Sequence, residues 1–205
     1  MSRPRLRVVK VGGSLFDLPD LGARLRRWLH EQSRATHVLI AGGGELAEVV
    51  RRADERHRLG ESTSHWLCVE LLGPTANWLA AVGDWPLVAS LWAADETVAG
   101  ENSAVADLPA VVVLDPRSFL RNVEPTAPGV LLPHTWQATS DSIAARLAAA
   151  IDAEELVLLK SQPPPSHASL AELANTGYVD PFFPVAARVL PLVRCVDLRG
   201  AWPGA

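Results

Sequence analysis

The sequence predicts an α/β protein, a three-layer αβα sandwich with a mainly parallel central sheet. Three observations predict it. Apolar strand-length runs alternate with amphipathic helical stretches, several of those runs lack the period-two alternation of half-buried strands, and the connections between them are short. No internal repeat or linker-like change of composition interrupts the 205 residues, so one domain over 1–205 is expected.

In chain order, the first strand covers 6–11 and runs into Lys10-Val11-Gly12-Gly13-Ser14, followed by a helix over 18–32. The second strand, 37–41, ends at Gly42-Gly43-Gly44. In the helix over 45–58, Leu46, Val49, Val50 and Ala53 form a stripe expected to lie on the sheet, with Arg51, Arg52, Glu55 and Arg58 toward water. A long helix over 64–82 precedes strands at 87–92, 110–114 and 129–132. Thr139 or Ser140 then caps a helix over 140–150, where Ile143, Leu147 and Ile151 form the apolar stripe and Asp141 falls in the first turn. A strand over 155–159 leads into Lys160 and the surface loop Pro163-Pro164-Pro165. Helices over 168–175 and 184–189 and a strand over 192–198 complete the pattern.

Composition narrows the function classes. The formal charge is −4, with 48% hydrophobic residues, which excludes disorder and gives no electrostatic case for nucleic acid. Cys68 and Cys195 have no paired spacing, so neither a disulfide framework nor a cysteine metal site is suggested. The apolar stretch after Arg3, Arg5 and Arg7 is broken by Lys10 and the glycines, and no apolar run is long enough to cross a bilayer, which predicts a soluble cytoplasmic protein without a membrane partner.

The basic residues divide unevenly, 17 Arg against two Lys. Codon bias explains the arginines, but both lysines, Lys10 and Lys160, stand at the carboxyl ends of predicted strands. Ligands in open α/β sheets bind at that edge, and Lys is the compact charge suited to a phosphate. The two glycine turns lie there as well. Consecutive glycines turn N–H groups toward an anion, and the helix after Gly44 adds its positive end. No GxxxxGK[ST] or complete GxGxxG fingerprint occurs, which disfavours a P-loop NTPase and a dinucleotide dehydrogenase. Asp141 has two readings, a simple partner of the helix dipole or a carboxylate that orients the lysines.

The order strand-KVGGS, strand-GGG-helix, TSDSIA-helix resembles the amino acid kinase family over nearly the whole chain. "AGGGELAEVVRRAD", "TSHWLCVELL" and "LPHTWQATSDSIAARLA" most resemble the archaeal-type kinases of methanofuran biosynthesis, which act on 5-(aminomethyl)-3-furanmethanol. The resemblance implies an ATP-dependent kinase that transfers the γ-phosphoryl group to a hydroxyl, with Mg²⁺ arriving on the nucleotide, no dedicated metal site, and a homodimer or higher homo-oligomer through the helix over 64–82. It implies catalytic roles for Lys10 and Asp141. Gly12, Gly13, Ser14, Gly42, Gly43, Gly44, Thr139, Ser140 and Ser161 would hold the nucleotide phosphates. Gly44, His65, Trp66 and Trp136 would bind the acceptor, with Trp66 and Trp136 flanking a flat ring; Arg51 and Glu70 are weaker candidates.

Two departures leave alternatives open. Where the family carries a Thr-Asp-Val-Asp-Gly turn, this chain reads Leu158-Leu159-Lys160-Ser161-Gln162, and Asn175-Thr176-Gly177-Tyr178-Val179-Asp180 stands near the usual Gly-Gly-Met segment with its second lysine. Lys160 is expected to supply that second charge. The alternatives are a catalytically degenerate fold kept as a ligand-binding or oligomeric subunit, or a kinase of another small carboxylate or phosphate acceptor.

Overall fold

In the computed structural model, residues 5–92 and 108–200 are described; Trp202, one of the seven tryptophans, lies outside them. Six strands form one parallel sheet, β1 (Leu6–Val11), β2 (Thr36–Ala41), β3 (Leu87–Val88), β4 (Val111–Leu114), β5 (Glu155–Lys160) and β6 (Val193–Asp197), in the spatial order β3-β4-β2-β1-β5-β6. The helices are α1 (Leu21–His30), α2 (Gly44–His57), α3 (Glu61–Gly83), α4 (Ser140–Ala150), α5 (Leu170–Asn175) and α6 (Phe183–Ala186).

The central strands are apolar on both faces because both are covered. Val8, Val38, Ile40, Leu156 and Leu158 pack under α4 through Ile143, Ala144 and Leu147. On the other face Val9, Val11, Leu39, Val157 and Leu159 pack under Leu25 and Trp28 of α1 and Ala76 and Leu79 of α3. α4 is buried from Asp141 to Ala148, and its alanines let it approach β1 closely.

Register places the chemistry. Val11 lies opposite Ala41 of β2 and Leu159 of β5, so the turns after β1 and β2 and the end of β5 meet at one edge. Side chains alternate along a strand, so Lys10 leaves β1 on the same face as Val8, toward α4.

Three sequence expectations need correction. Helix α2 packs on α3 rather than on the sheet; of its stripe only Val50 is buried, and Val49 is exposed. The strand expected over 87–92 ends at Val88, because the Ser90 hydroxyl accepts the Trp92 N–H and donates to the Trp92 carbonyl, turning the chain. Residues 129–132 form no strand. The Glu124 carboxylate accepts the Leu132 N–H at 2.9 Å, and Arg146 of α4, 3.3 Å from Glu124, donates to the Pro128 carbonyl at 3.0 Å. This buried ion pair satisfies backbone groups that a strand would have given to a neighbour.

Among the described residues no helix is long and apolar enough to cross a membrane. Arg146→Ala would strand a buried carboxylate and release the loop, so we expect a loss of about 3–5 kcal/mol in chemical denaturation. A loss below about 1 kcal/mol, the level of an exposed pair, would contradict this role for the pair.

Candidate active site

At the carboxyl edge of the sheet, Asp141 in the first turn of α4 lies between the two lysines. Lys10 Nζ is 2.8 Å from Oδ1, and Lys160 Nζ is 2.7 Å from Oδ2. Lys10 and Asp141 are each only 4% exposed. Lys160 also donates to the Tyr178 carbonyl at 2.8 Å. Burial pushes the Asp141 carboxyl up, but the two ammonium groups outweigh burial and hold it below the usual carboxylate range. For Lys160, burial and then repulsion from Lys10 lower the ammonium below its ordinary value, against the pull of Asp141. One carboxylate between two ammoniums leaves a net charge of about +1 when both lysines are protonated.

The glycine turns close over this group. A Cβ on Gly13 would come within 2.2 Å of the Gly44 nitrogen, so the two loops touch only because Gly13 lacks one. Gly44 adopts φ 55°, which opens α2 directly behind the contact. At Gly42, a Cβ would stand 3.3 Å from Lys10 Cε and 3.2 Å from Ser140 Oγ. Among the described residues the N–H groups of Gly13, Gly43 and Gly44 make no hydrogen bond, and they are the donors available to an anion. Two expected donors are not available. The Gly12 N–H is given to the Leu159 carbonyl at 2.8 Å and the Gly42 N–H to the Val11 carbonyl at 2.9 Å, continuing the ladder past the strand ends. Ser14 and Ser161 stand together, their hydroxyls 2.8 Å apart.

Thr139 is the N-cap of α4, but the capping oxygens belong to Asp180. Its carboxylate accepts the Thr139 N–H at 3.0 Å, the Thr139 hydroxyl at 2.9 Å, the Ser142 N–H at 3.0 Å and the Ser142 hydroxyl. Sequence reasoning missed this role. The only local signal was a short-range cap at Thr139, and Asp180 is 41 residues away.

Beside the glycine contact opens a cavity of about 220 Å³. Gly13, Gly44, Thr139 and Ser140 line its inner part, with Glu48, Arg51, His65, Cys68 and Trp136 among its other walls. The Arg51 guanidinium lies 4.3 Å from the center of the Trp136 ring, and the Trp136 indole donates to Asp54 at 2.8 Å, so both are held in place. His65 is buried and stacks on His134 with ring centers 4.9 Å apart. Burial, then repulsion from His134, lowers its imidazole to about 4, so it is neutral at pH 7. Burial pushes the Cys68 thiol up to about 11, making it an inert wall. Trp66, expected to flank a ring with Trp136, does not line the cavity. One position further along α3, it turns away to meet His134 and Arg121 and pack on the core. Glu70 pairs with Arg117 and Arg121 at the surface, away from this cavity.

A doubly covered parallel sheet whose carboxyl edge carries two glycine turns and a lysine–aspartate–lysine cluster has the fold of the amino acid kinases. Solved structures bear this out. The uridylate kinase of Archaeoglobus fulgidus superposes with a TM-score of 0.56 at 16% identity, covering 90% of this chain and 85% of that one. The UMP kinase of Ureaplasma parvum gives 0.59 at 14% identity, covering 95% and 91%, and the aspartate kinase of Synechocystis gives 0.55 at 18%, covering 93% and 38%. In sequence the chain is 27% identical over 154 residues to the [5-(aminomethyl)furan-3-yl]methyl phosphate kinase of Methanocaldococcus jannaschii, covering 75% of this chain. It spans 64% of that relative's length. No family model matches. The amino acid kinase resemblance therefore holds in fold, and the sequence likeness is to the furan-methyl phosphate kinase.

The electrostatics of the cluster can be read directly, since a lysine label gives signals from Lys10 and Lys160 alone. In ¹³Cε-lysine NMR titration we expect Lys160 to lose its proton below the ordinary lysine value of about 10.4. Its charge is present below that lowered midpoint and lost as pH rises through it. A midpoint at or above the ordinary value would contradict the arrangement.

Proposed function

We propose that the chain is an ATP-dependent phosphotransferase acting on a small phosphate monoester, of which [5-(aminomethyl)furan-3-yl]methyl phosphate, named for its relative, is the leading candidate. The observation that carries the reading is the Lys10–Asp141–Lys160 cluster beneath the free N–H groups of Gly13, Gly43 and Gly44. Phosphoryl transfer needs positioning and neutralisation of charge on the equatorial oxygens more than covalent chemistry. These groups fit the end of a triphosphate: two ammoniums for the oxygens and N–H donors in a cradle too tight for any side chain at Gly13. Mg²⁺, which needs only one or two carboxylates beside substrate phosphates, would be carried on the nucleotide's oxygens.

A phosphate acceptor suits the site better than the alcohol expected from the sequence. An alcohol must give up a proton as it attacks, and the candidate bases are poor. Asp141 is held by two lysines below the normal carboxylate range, and His65 is lowered to about 4. A phosphate monoester is already ionised, and its oxygen can attack the γ-phosphorus directly. The new bond is a P–O–P linkage, and ADP leaves. Within the cavity Trp136 offers a flat face to a small ring, and Arg51 and Glu48, paired with each other at 3.4 Å, offer a charge of each sign to a ligand that parts them. The expected self-association is supported by Leu67 and Trp78, which stand exposed on α3.

ATP titration calorimetry with Mg²⁺ should show binding, and ³¹P NMR of the reaction with the monoester should show paired diphosphate-ester signals. Lys160→Ala should lower turnover by about 10²-fold or more, the range for losing one preorganised charge. Unchanged turnover would remove Lys160 from the chemistry. No detectable ATP binding would favour a ligand-binding or oligomeric subunit instead.

A further inference from the structure

The segment from Tyr178 to Asp180 bonds both to Lys160 and to the first turn of α4, which carries Asp141. Its Asp180 carboxylate, 8% exposed, accepts two backbone and two hydroxyl hydrogen bonds from Thr139 and Ser142, the residues flanking Ser140 and Asp141. Its Tyr178 carbonyl accepts from Lys160, whose ammonium also lies 5.4 Å from the center of the Tyr178 ring. The segment is itself anchored. The Tyr178 N–H goes to the Leu173 carbonyl at 2.9 Å, the Tyr178 hydroxyl donates to the Gln162 carbonyl at 3.1 Å, and the Phe183 N–H donates to the Asp180 carbonyl at 3.1 Å.

We propose that Asp180 is a positioning residue for the Lys10–Asp141–Lys160 cluster, and that residues 178–180 form one clamp holding the first turn of α4 and the Lys160 ammonium at a fixed separation. The proposal concerns the reaction assigned above and rests on that reading for its catalytic meaning. Local capping of α4 would have satisfied its free N–H groups, yet the Thr139 side chain makes no cap. A cap supplied by a distant carboxylate does something a local one cannot. It ties the start of α4, and so the Asp141 backbone, to the segment that holds Lys160. Phosphoryl transfer is sensitive to such placement, since a shift of about 1 Å can cost about 10²-fold in rate.

The test uses the two lysine signals of the full chain together with kinetics. Ser142→Ala keeps every charge and deletes one of the four hydrogen bonds; Asp180→Asn replaces an acceptor oxygen with a donor facing N–H groups. We expect both lysine ¹³Cε resonances to move in the same direction in both variants, further in Asp180→Asn. We also expect kcat to fall by up to about 10²-fold in Asp180→Asn with the acceptor KM little changed. Should Asp180→Asn fail to fold, Ser142→Ala and Thr139→Ala carry the test through the same resonances. Lysine signals at their wild-type positions in folded variants would overturn the proposal. Absence of kinase activity in the unaltered chain would instead overturn the functional reading, leaving the NMR result to decide the clamp.

Discussion

A carboxylate excluded from water survives in charged form only when partnered, and Asp141 has two ammonium partners within 2.8 Å. The rest of the active edge follows from that constraint. Lys10 must leave β1 toward α4, which the alternation of the strand provides, and Lys160 must come from the adjacent strand, which the β1–β5 register provides. Gly42 must lack a side chain because a Cβ there would come within 2.8 Å of the Gly13 nitrogen and crowd the Lys10 stem and Ser140. The cluster keeps an excess positive charge when both lysines are protonated, which is the charge the proposed phosphate would meet. The lowered ammonium of Lys160 reflects the same excess, because burial and Lys10 both oppose its charge. An incoming phosphate would relieve that opposition.

The cavity complements this charge with a different chemistry. Beyond the glycine contact its walls carry a stacked Arg51–Trp136 pair, the neutral His65 and the inert Cys68. Neither His65 nor Asp141 is placed on the pH scale where a general base would work near neutrality. On the proposed reading the site pairs anion recognition with weak proton abstraction. That combination favours the phosphate acceptor proposed above over an alcohol.

What the sequence made legible was local. The limits of β1 and of α4 could be read to the residue, because continuous Val and Leu runs and a Thr-Ser-Asp start are signals carried within a few positions. The two lysines were legible because an arginine-rich background made them exceptions at strand ends. What escaped depended on partners far away in the chain. Asp180 capping α4, and the Glu124–Arg146 pair that keeps 129–132 from forming a strand, are tertiary hydrogen bonds with no local pattern. The stripe on α2 could not say which surface it met; α3 rather than the sheet receives the helix, and only Val50 of the stripe is buried. The glycine turns showed how many N–H groups could point at an anion. Only the structure revealed that the sheet ladder takes those of Gly12 and Gly42.

On the proposed reading Lys10 and Lys160 receive phosphate while Asp141 holds them in place. The most direct measurement is the response of the two lysine ¹³Cε resonances to a non-hydrolysable ATP analogue with Mg²⁺, at a pH below the Lys160 midpoint. Both resonances should shift on saturation, with the Lys160 midpoint rising as the phosphate oxygens stabilise its ammonium. Saturable binding of the analogue that left both lysines unmoved would contradict the claim.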